Sequence, residues 1–414
     1  MRAARGGFDP KLGAALSRKY FDNKLYYNTA TAALSIPTSL LGITFDAGYE
    51  SASGYYLNPE NTTPADGLLF AGVKASLGKG LFIDQRRAAL RQASVIAKQS
   101  AQEQRLVLNN LLYEAGKAYW EWYEAVQAQA IYENALQVAR ERYEQVKLQA
   151  QLGDRPMVDT LEVGIQLQAR MLLVQQAQLN AEVARLKLSS YTWDEDGNPV
   201  YLRQEVVPAP ISQDAISTPP GSINLQIDTL VALHPELRMS RLSIDYLEIE
   251  KRWKAEQLKP SLNVKYNALT SSIPVNRIVT GYDPADYRLG VEFSMPLFLR
   301  KERAGLREVQ LKIQQKRNDL ASKQLQLQNK ALGAIATWEG TARQIRLYSK
   351  TVQDYGALFE AERQLFDGGE SSLFMVNSRE MFYINAQIKL LELMVKNRKA
   401  ALETEYAAGL LAND

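Results

Sequence analysis

Apolar residues recur at every second position in several short blocks of this chain, and at every third or fourth position in its long ones. Leu289, Val291, Phe293 and Met295 alternate with Arg288, Gly290, Glu292 and Ser294, and Val264, Tyr266 and Ala268 alternate with Lys265 and Asn267. The same period runs through Ala71, Val73, Ala75 and Leu77 around Lys74 and Ser76. It also runs through Leu41, Ile43, Phe45, Ala47 and Tyr49 around Gly42, Thr44, Asp46 and Gly48. A period of two predicts strands with one apolar and one polar face. Their connections, Asn58 to Pro64 and Ser271 to Asp286, are polar and turn-rich, with Tyr55, Tyr56, Tyr282 and Tyr287 near the strand ends.

The long blocks predict helices. No proline interrupts Arg87 to Gly153 or Arg303 to Gly369, and at ~1.5 Å per residue such segments would each span roughly 100 Å. Leu108, Leu111, Leu112, Ala115, Tyr119, Trp122 and Val126 step by threes and fours, while Ile313, Leu320, Leu327 and Ala334 keep a seven-residue spacing. Such stripes are coiled-coil seams.

A shift of 216 residues lays one half of this pattern on the other without a gap. Arg87 falls on Arg303, Trp122 on Trp338, Tyr143 on Phe359 and Gly153 on Gly369. Beyond the glycines Val158, Ile165, Leu172, Leu179 and Leu186 fall on Phe374, Met381, Ile388, Val395 and Leu402. The chain therefore reads as two tandem copies of a strand pair followed by a long helical hairpin, each copy able to bury its seam only against a neighbour. The first copy takes residues 1–190, with strands within 10–78, a long helix 84–152 and a return helix 157–190. A mixed segment of different texture fills 191–228, rich in proline, with a short strand expected at Pro199 to Gln204. The second copy takes 229–411, with a helix 229–258, strands 260–270 and 286–297, a long helix 299–367 and a return helix 372–411.

Two glycine turns reverse the long helices, at Gly153-Asp154-Arg155 and Gly369-Glu370. Glycine suits a left-handed helix end, and Asp154 and Glu370 are expected to cap the positive start of the returning helices.

Pairing Pro10-Lys11-Leu12 with Pro260-Ser261-Leu262 leaves the first copy without a counterpart to the helix over 230–259. Met1 to Gly7 also lacks the apolar core of a secretory signal. A lost leading helix, and a lost signal before it, are the expectation.

Composition narrows the function classes. The 414 residues are 46% hydrophobic and 23% charged, which suits a folded chain. Forty-nine basic against 46 acidic residues leave +3 with no like-charge run, so nucleic-acid binding is not favoured. No stretch approaches the ~18 to 20 apolar residues of a membrane helix. There is no cysteine, and the one histidine, His234, precedes Pro235-Glu236 at a helix start, where capping or a surface place is expected. Gly78-Lys79-Gly80 lacks the frame of a phosphate loop and reads as a strand-to-helix corner. Catalytic residues, cofactors and metal ligands are therefore not expected.

The order of these elements carries a resemblance. Strand pair, long helix, glycine turn and return helix, twice over, resembles the outer-membrane efflux protein family, the TolC-like channels. Its telling pieces are the passages Gly72 to Leu77 and Gly290 to Phe298 and the turns Gly153 to Asp159 and Gly369 to Met375.

The resemblance implies a mainly α fold with a β-barrel portion: a homotrimer in which each chain gives four strands to a twelve-stranded barrel in outer-membrane lipid. The helices would then form a tunnel through the periplasm of a Gram-negative bacterium. It further implies a passive export channel working with a periplasmic adaptor protein and, through it, an inner-membrane pump, in tripartite efflux or type I secretion. The turns would form the periplasmic tip, docking the adaptor and closing the tunnel, with Gly153, Asp154, Arg155, Asp159, Gly369, Glu370, Met375 and Ser378 as site residues. The family's acidic ring at the second tip is not carried over, because Met375 and Ser378 stand there; Asp159 is the acid at equivalent depth. The competing reading, a structural periplasmic coiled-coil scaffold, accounts for the heptads and leaves the two-faced strands without a use.

Overall fold

A computed structural model describes residues 1–210, 217–220, 223–271 and 283–412. Tyr282, most of the connection 271–286 and part of the segment 191–228 lie outside them. The chain divides into two compact units, one of residues 1–102 with 238–321, the other of 103–237 with 322–414.

The first unit holds a single antiparallel sheet. After a short helix α1 (Arg2–Arg5) come β1 (Lys11–Phe21), β2 (Lys24–Pro37), β3 (Thr44–Ser53) and β4 (Leu68–Ser76), then, from the second repeat, β5 (Ser261–Thr270) and β6 (Tyr287–Ser294). Spatial order follows chain order from β1 to β6. The sheet thus has six strands where the resemblance implied four. Strands β5 and β6 find their counterparts in β3 and β4, so the equivalence of Pro10-Lys11-Leu12 with Pro260-Ser261-Leu262 does not hold. Residues 11–37 form an added hairpin. Its turn, Asp22-Asn23, has φ of 51° and 55° at its two central residues, the mirror-image geometry that matches strand twist and that Asp and Asn tolerate. Leu41 and Gly42, expected in a strand, instead form a turn with positive φ of 48° and 69° that delays β3 until Thr44.

Register keeps the two faces of this sheet apart. One row, Leu12, Leu34, Ala47, Ala71, Ala268 and Tyr287, is apolar across all six strands. The adjacent row, Lys11, Ser35, Asp46, Gly72, Asn267 and Arg288, lies on the other face and is polar. Aromatic rings gather at the end of the sheet away from the helices: Phe21 on Tyr26 at 6.0 Å, Tyr26 on Tyr56 at 4.6 Å, Tyr266 on Tyr287 at 5.8 Å.

At the corner from β4 into the first long helix, the Gly78-Lys79-Gly80 passage is held by buried Arg87. Its guanidinium donates to the carbonyls of Gly80, Leu81 and Phe82, while Asp84 accepts the Arg87 backbone N–H at 2.8 Å and caps the helix.

Four helices make up the repeated hairpins: α2 (Gln85–Leu152) turning into α3 (Met157–Ser189), and α6 (Arg300–Asp367) turning into α7 (Leu373–Ala408). Each long helix runs 68 residues. In the second unit their seams bury the paired tryptophans Trp122 and Trp338, and a cluster of Val146, Val163, Phe359, Phe366, Leu373 and Val376.

The helix expected over 229–258 is in fact two, α4 (Ile223–Ala232) and α5 (Pro235–Glu256). Pro235 supplies no N–H and disfavours helix in the residue before it, so the break falls at Leu233-His234. His234 is buried there, not on the surface, and its Nδ1 accepts the Glu236 N–H at 3.2 Å, capping α5. Beside it Tyr113 stacks on Tyr406 at 4.2 Å and Lys323 pairs with Glu236 at 2.6 Å. Pro199 to Gln204 forms no strand, only an isolated bridge between Trp193 and Pro199.

Candidate functional site

Both hairpin turns are built on one backbone device. Gly153, at φ +85°, donates its N–H to the Ala150 carbonyl at 3.2 Å, and Asp154 donates to Gln149 at 2.9 Å. Gly369, at φ +78°, repeats this with Phe366 at 3.0 Å, as does Glu370 with Leu365 at 2.8 Å. These paired bonds satisfy the last carbonyls of each long helix and require a left-handed residue. A Cβ at either glycine would meet nothing within 4 Å, so backbone strain alone selects glycine.

Asp154 and Glu370 do not cap the returning helices. The glycine device turns their N–H groups back onto the helix just ended. The N-cap of α7 is Ser372, whose hydroxyl accepts the Met375 N–H at 3.3 Å, and α3 begins after Pro156 without a side-chain cap. Of the three acids expected at the turns or equivalent depth, only Asp159 lies in a first helical turn.

Arg155 and Asp159 do come together, at 3.7 Å, both partly buried. Arg155 also donates from Nε to Gln149 Oε1 at 2.7 Å and lays its guanidinium 4.3 Å from the centre of the Phe366 ring. Phe366 belongs to the end of α6, so Arg155 ties one turn to the other. Around the second turn Ser371 donates to Glu362, which pairs with Arg379 at 3.7 Å. Met375 and Ser378 lie on the first turns of α7, Met375 exposed and Ser378 half-buried, and neither joins these contacts.

Farther along the same helices lies a polar network that the periodicity conceals. Arg142 of α2 donates from Nη1 to Asn377 Oδ1 at 2.6 Å and to Glu380 Oε2 at 2.7 Å, both on α7. Arg170 of α3 brings its Nη2 to 3.8 Å from the same carboxylate oxygen. All four residues are buried. Burial pushes the Arg170 guanidinium below its usual range; Glu380 opposes that shift and Arg142 adds to it. Arg142 Nη2, Arg170 Nε, Asn377 Nδ2 and Glu380 Oε1 find no protein partner. A cavity of about 170 Å³ opens beside Arg142, lined also by Glu141, Gln145, Arg363, Phe366 and Asp367, roomy and polar enough for water to satisfy some of them.

The signal was in the repeat. At the 216-residue shift Arg142 falls on Leu358, Arg170 on Ala386, Asn377 on Leu161 and Glu380 on Gly164. Each polar member faces a nonpolar or glycine counterpart, a mismatch that a search for shared apolar seams passes over.

Comparison with known proteins follows the same outline. Residues 227–404 match the family model described as Outer membrane efflux protein. The Campylobacter jejuni CmeC outer membrane channel superposes with a TM-score of 0.67 at 13% identity, covering 99% of this chain and 79% of that one. The outer membrane protein VceC of Vibrio cholerae gives 0.69 at 14% identity, with 99% and 89% covered. The open state of the Neisseria gonorrhoeae MtrE outer membrane channel gives 0.68 at 14%, with 99% and 82% covered. No curated protein matches the sequence. The chain as a whole has the fold of these channels, and its second repeat matches the outer membrane efflux protein family model.

Proposed function

We propose that this chain is the outer-membrane channel of a tripartite export system, conducting substrates passively across the periplasm and outer membrane. The observation that carries the reading is the sheet: an apolar row and a polar row running uninterrupted through six strands that share a chain with two 68-residue coiled helices. In lipid only a closed sheet leaves no backbone group unpaired, so the open edges call for further subunits. Arg288 of β6 bonds to Glu50 of β3 at 3.2 Å, although three strand spacings amount to about 14 Å in a flat sheet. The contact crosses the polar face of the sheet, in keeping with curling of that face inward, as a water-filled lumen needs.

A second surface asks for the same partners. The α3 seam of Val158, Ile165, Leu172, Leu179 and Leu186 is exposed along its length in the single chain, and a heptad stripe of that extent is covered by another helix in a stable assembly. A homotrimer, as the family resemblance implies, would cover it. The turns at Gly153 and Gly369, with Asp154, Arg155, Asp159, Glu370, Met375 and Ser378, would then form the periplasmic tip that meets the adaptor protein and, through it, the inner-membrane pump.

Fractionation of cells producing the protein tests this reading. The expected result is recovery in the outer membrane as a heat-dissociable oligomer, with single-channel conductance after reconstitution in planar bilayers. Recovery in soluble fractions alone would favour the scaffold reading and remove the channel one.

A further inference from the structure

The hairpin β1–β2 stands where the second repeat has α5, and it changes the arithmetic of the wall. We infer that all six strands belong to the transmembrane sheet, and that β1 of one copy pairs with β6 of the next, so that three copies close an eighteen-stranded barrel instead of one of twelve. The inference rests on the channel reading above and adds its strand count and subunit seam.

Four observations carry it. First, the hairpin is continuous with the wall: β2 pairs with β3 over ten consecutive residues, from Asn28 opposite Ser53 to Pro37 opposite Thr44. Second, it continues both faces in phase. Leu12, Ala14 and Leu16 of β1 lie on the face of Leu289, Val291 and Phe293 of β6, while Lys11 shares the polar face with Glu292. Third, strand direction allows closure. A six-strand antiparallel meander begins and ends with opposite directions, so β6 beside a second copy's β1 is again antiparallel, and only an even strand count per chain permits this.

Fourth, both edges are open and unprotected. Every residue of β1 and of β6 is exposed, Leu12 at 80% and Phe293 at 67%. Neither strand carries a proline, and the one bulge in β1, at Lys19/Tyr20, lies at its far end. Soluble edges are blunted with charge, proline or bulges; the charges of β1, Lys11, Arg18 and Lys19, flank an uncharged run from Leu12 to Ser17 that is left fit for pairing. A copy of this chain is the occupant that matches on each count: direction, the two faces and an open edge on either side. Because barrel diameter grows roughly linearly with strand number, the lumen would be about half as wide again as that of a twelve-stranded barrel.

The chain has no cysteine, so paired cysteines report without background. Gly13→Cys or Ala15→Cys in β1 is combined in turn with Gly290→Cys or Glu292→Cys in β6, all on the polar face. A comparison set joins the same β6 positions to Asp46→Cys or Glu50→Cys in β3. Isolated outer membranes are oxidised and run on non-reducing denaturing gels. At least one β1–β6 combination should give a covalent ladder reaching three copies, while the β3–β6 set stays monomeric. A ladder from β3–β6 alone would mean four strands per chain, overturning the inference while leaving the channel reading intact. Absence of any ladder in protein that resides in the outer membrane would overturn it as well. Absence of the protein from that membrane would remove the channel reading, and the inference with it.

Discussion

Replacing Glu380 with alanine should damage the helical unit more than any change at the exposed hairpin turns. Glu380 is the acid that neutralises Arg142, at 2.7 Å, and Arg170, at 3.8 Å, and all three side chains are less than a tenth exposed. Its removal leaves two buried guanidinium groups without a countercharge, with only Asn377 Oδ1 still accepting from Arg142. Breaking a buried pair in this way costs about 3–5 kcal/mol, chiefly the penalty of an uncompensated charge. At roughly 2–4 °C per kcal/mol for a unit of this size, the helical signal should melt roughly 6–20 °C lower. Replacing Arg142, Arg170 and Glu380 together by leucine removes the charges as well as the pairing, and such swaps are commonly neutral or stabilising. The triple variant should therefore recover most of the loss. Far-UV circular dichroism melts of parent, single and triple variants in mild detergent provide the comparison. A single variant melting within a degree of the parent, or a triple variant no better than the single, would show that the network does not carry the burial cost assigned to it.

Three further outcomes are expected. Valine at Gly153 or Gly369 should abolish export while leaving the oligomer and barrel assembled, because a β-branched residue resists the φ of +85° or +78° even where space is free; normal efflux in both variants would count against a role for the turns. Neutralising Arg155 and Asp159 together should raise single-channel conductance in planar bilayers. The partly exposed pair is worth only ~0–1 kcal/mol and the stacking of Arg155 on Phe366 about 0.5–2 kcal/mol, so an unchanged conductance would leave these contacts purely structural. Burial holds the His234 imidazole below its ordinary value; Lys323 and Lys330 push the same way, against Glu236 and the Tyr406 carbonyl. Below about pH 6.5 the unfolded chain therefore takes up a proton that the folded one refuses. Stability should be flat above that pH and fall as pH drops below it, with a shallower fall in His234→Gln; identical pH profiles of Tm for the two proteins would contradict this.

The helices were legible because their order is carried by repetition: a seven-residue spacing and a gapless 216-residue shift survive any local ambiguity. The strands shared with the second copy were legible for the same reason. The first hairpin was not, since it has no copy to match. Its signals are local ones, the alternation of Leu12, Ala14 and Leu16 and the Asp22-Asn23 turn, with no second copy to reinforce them. Asp154 and Glu370 read as caps because an acid after a helix-ending glycine satisfies the charge rule for the next helix. The backbone bonds of the left-handed turn, which no composition reveals, decide where it sits. Glu380 is not legible in the sequence because a single acid among heptads is ordinarily a solvated face, and only packing makes it the centre of a cluster.

The mismatch between the repeats at Arg142, Arg170, Asn377 and Glu380 has a consequence for how such a chain evolves. Six identical hairpins from six separate chains would have to accept every substitution six times, at every seam alike. Two hairpins encoded in tandem let a residue change at alternate seams only, so a ring of three chains can hold three charged junctions and three greasy ones. In the proposed homotrimer, tandem encoding would thus make a ring of six hairpins threefold, with two kinds of junction free to diverge.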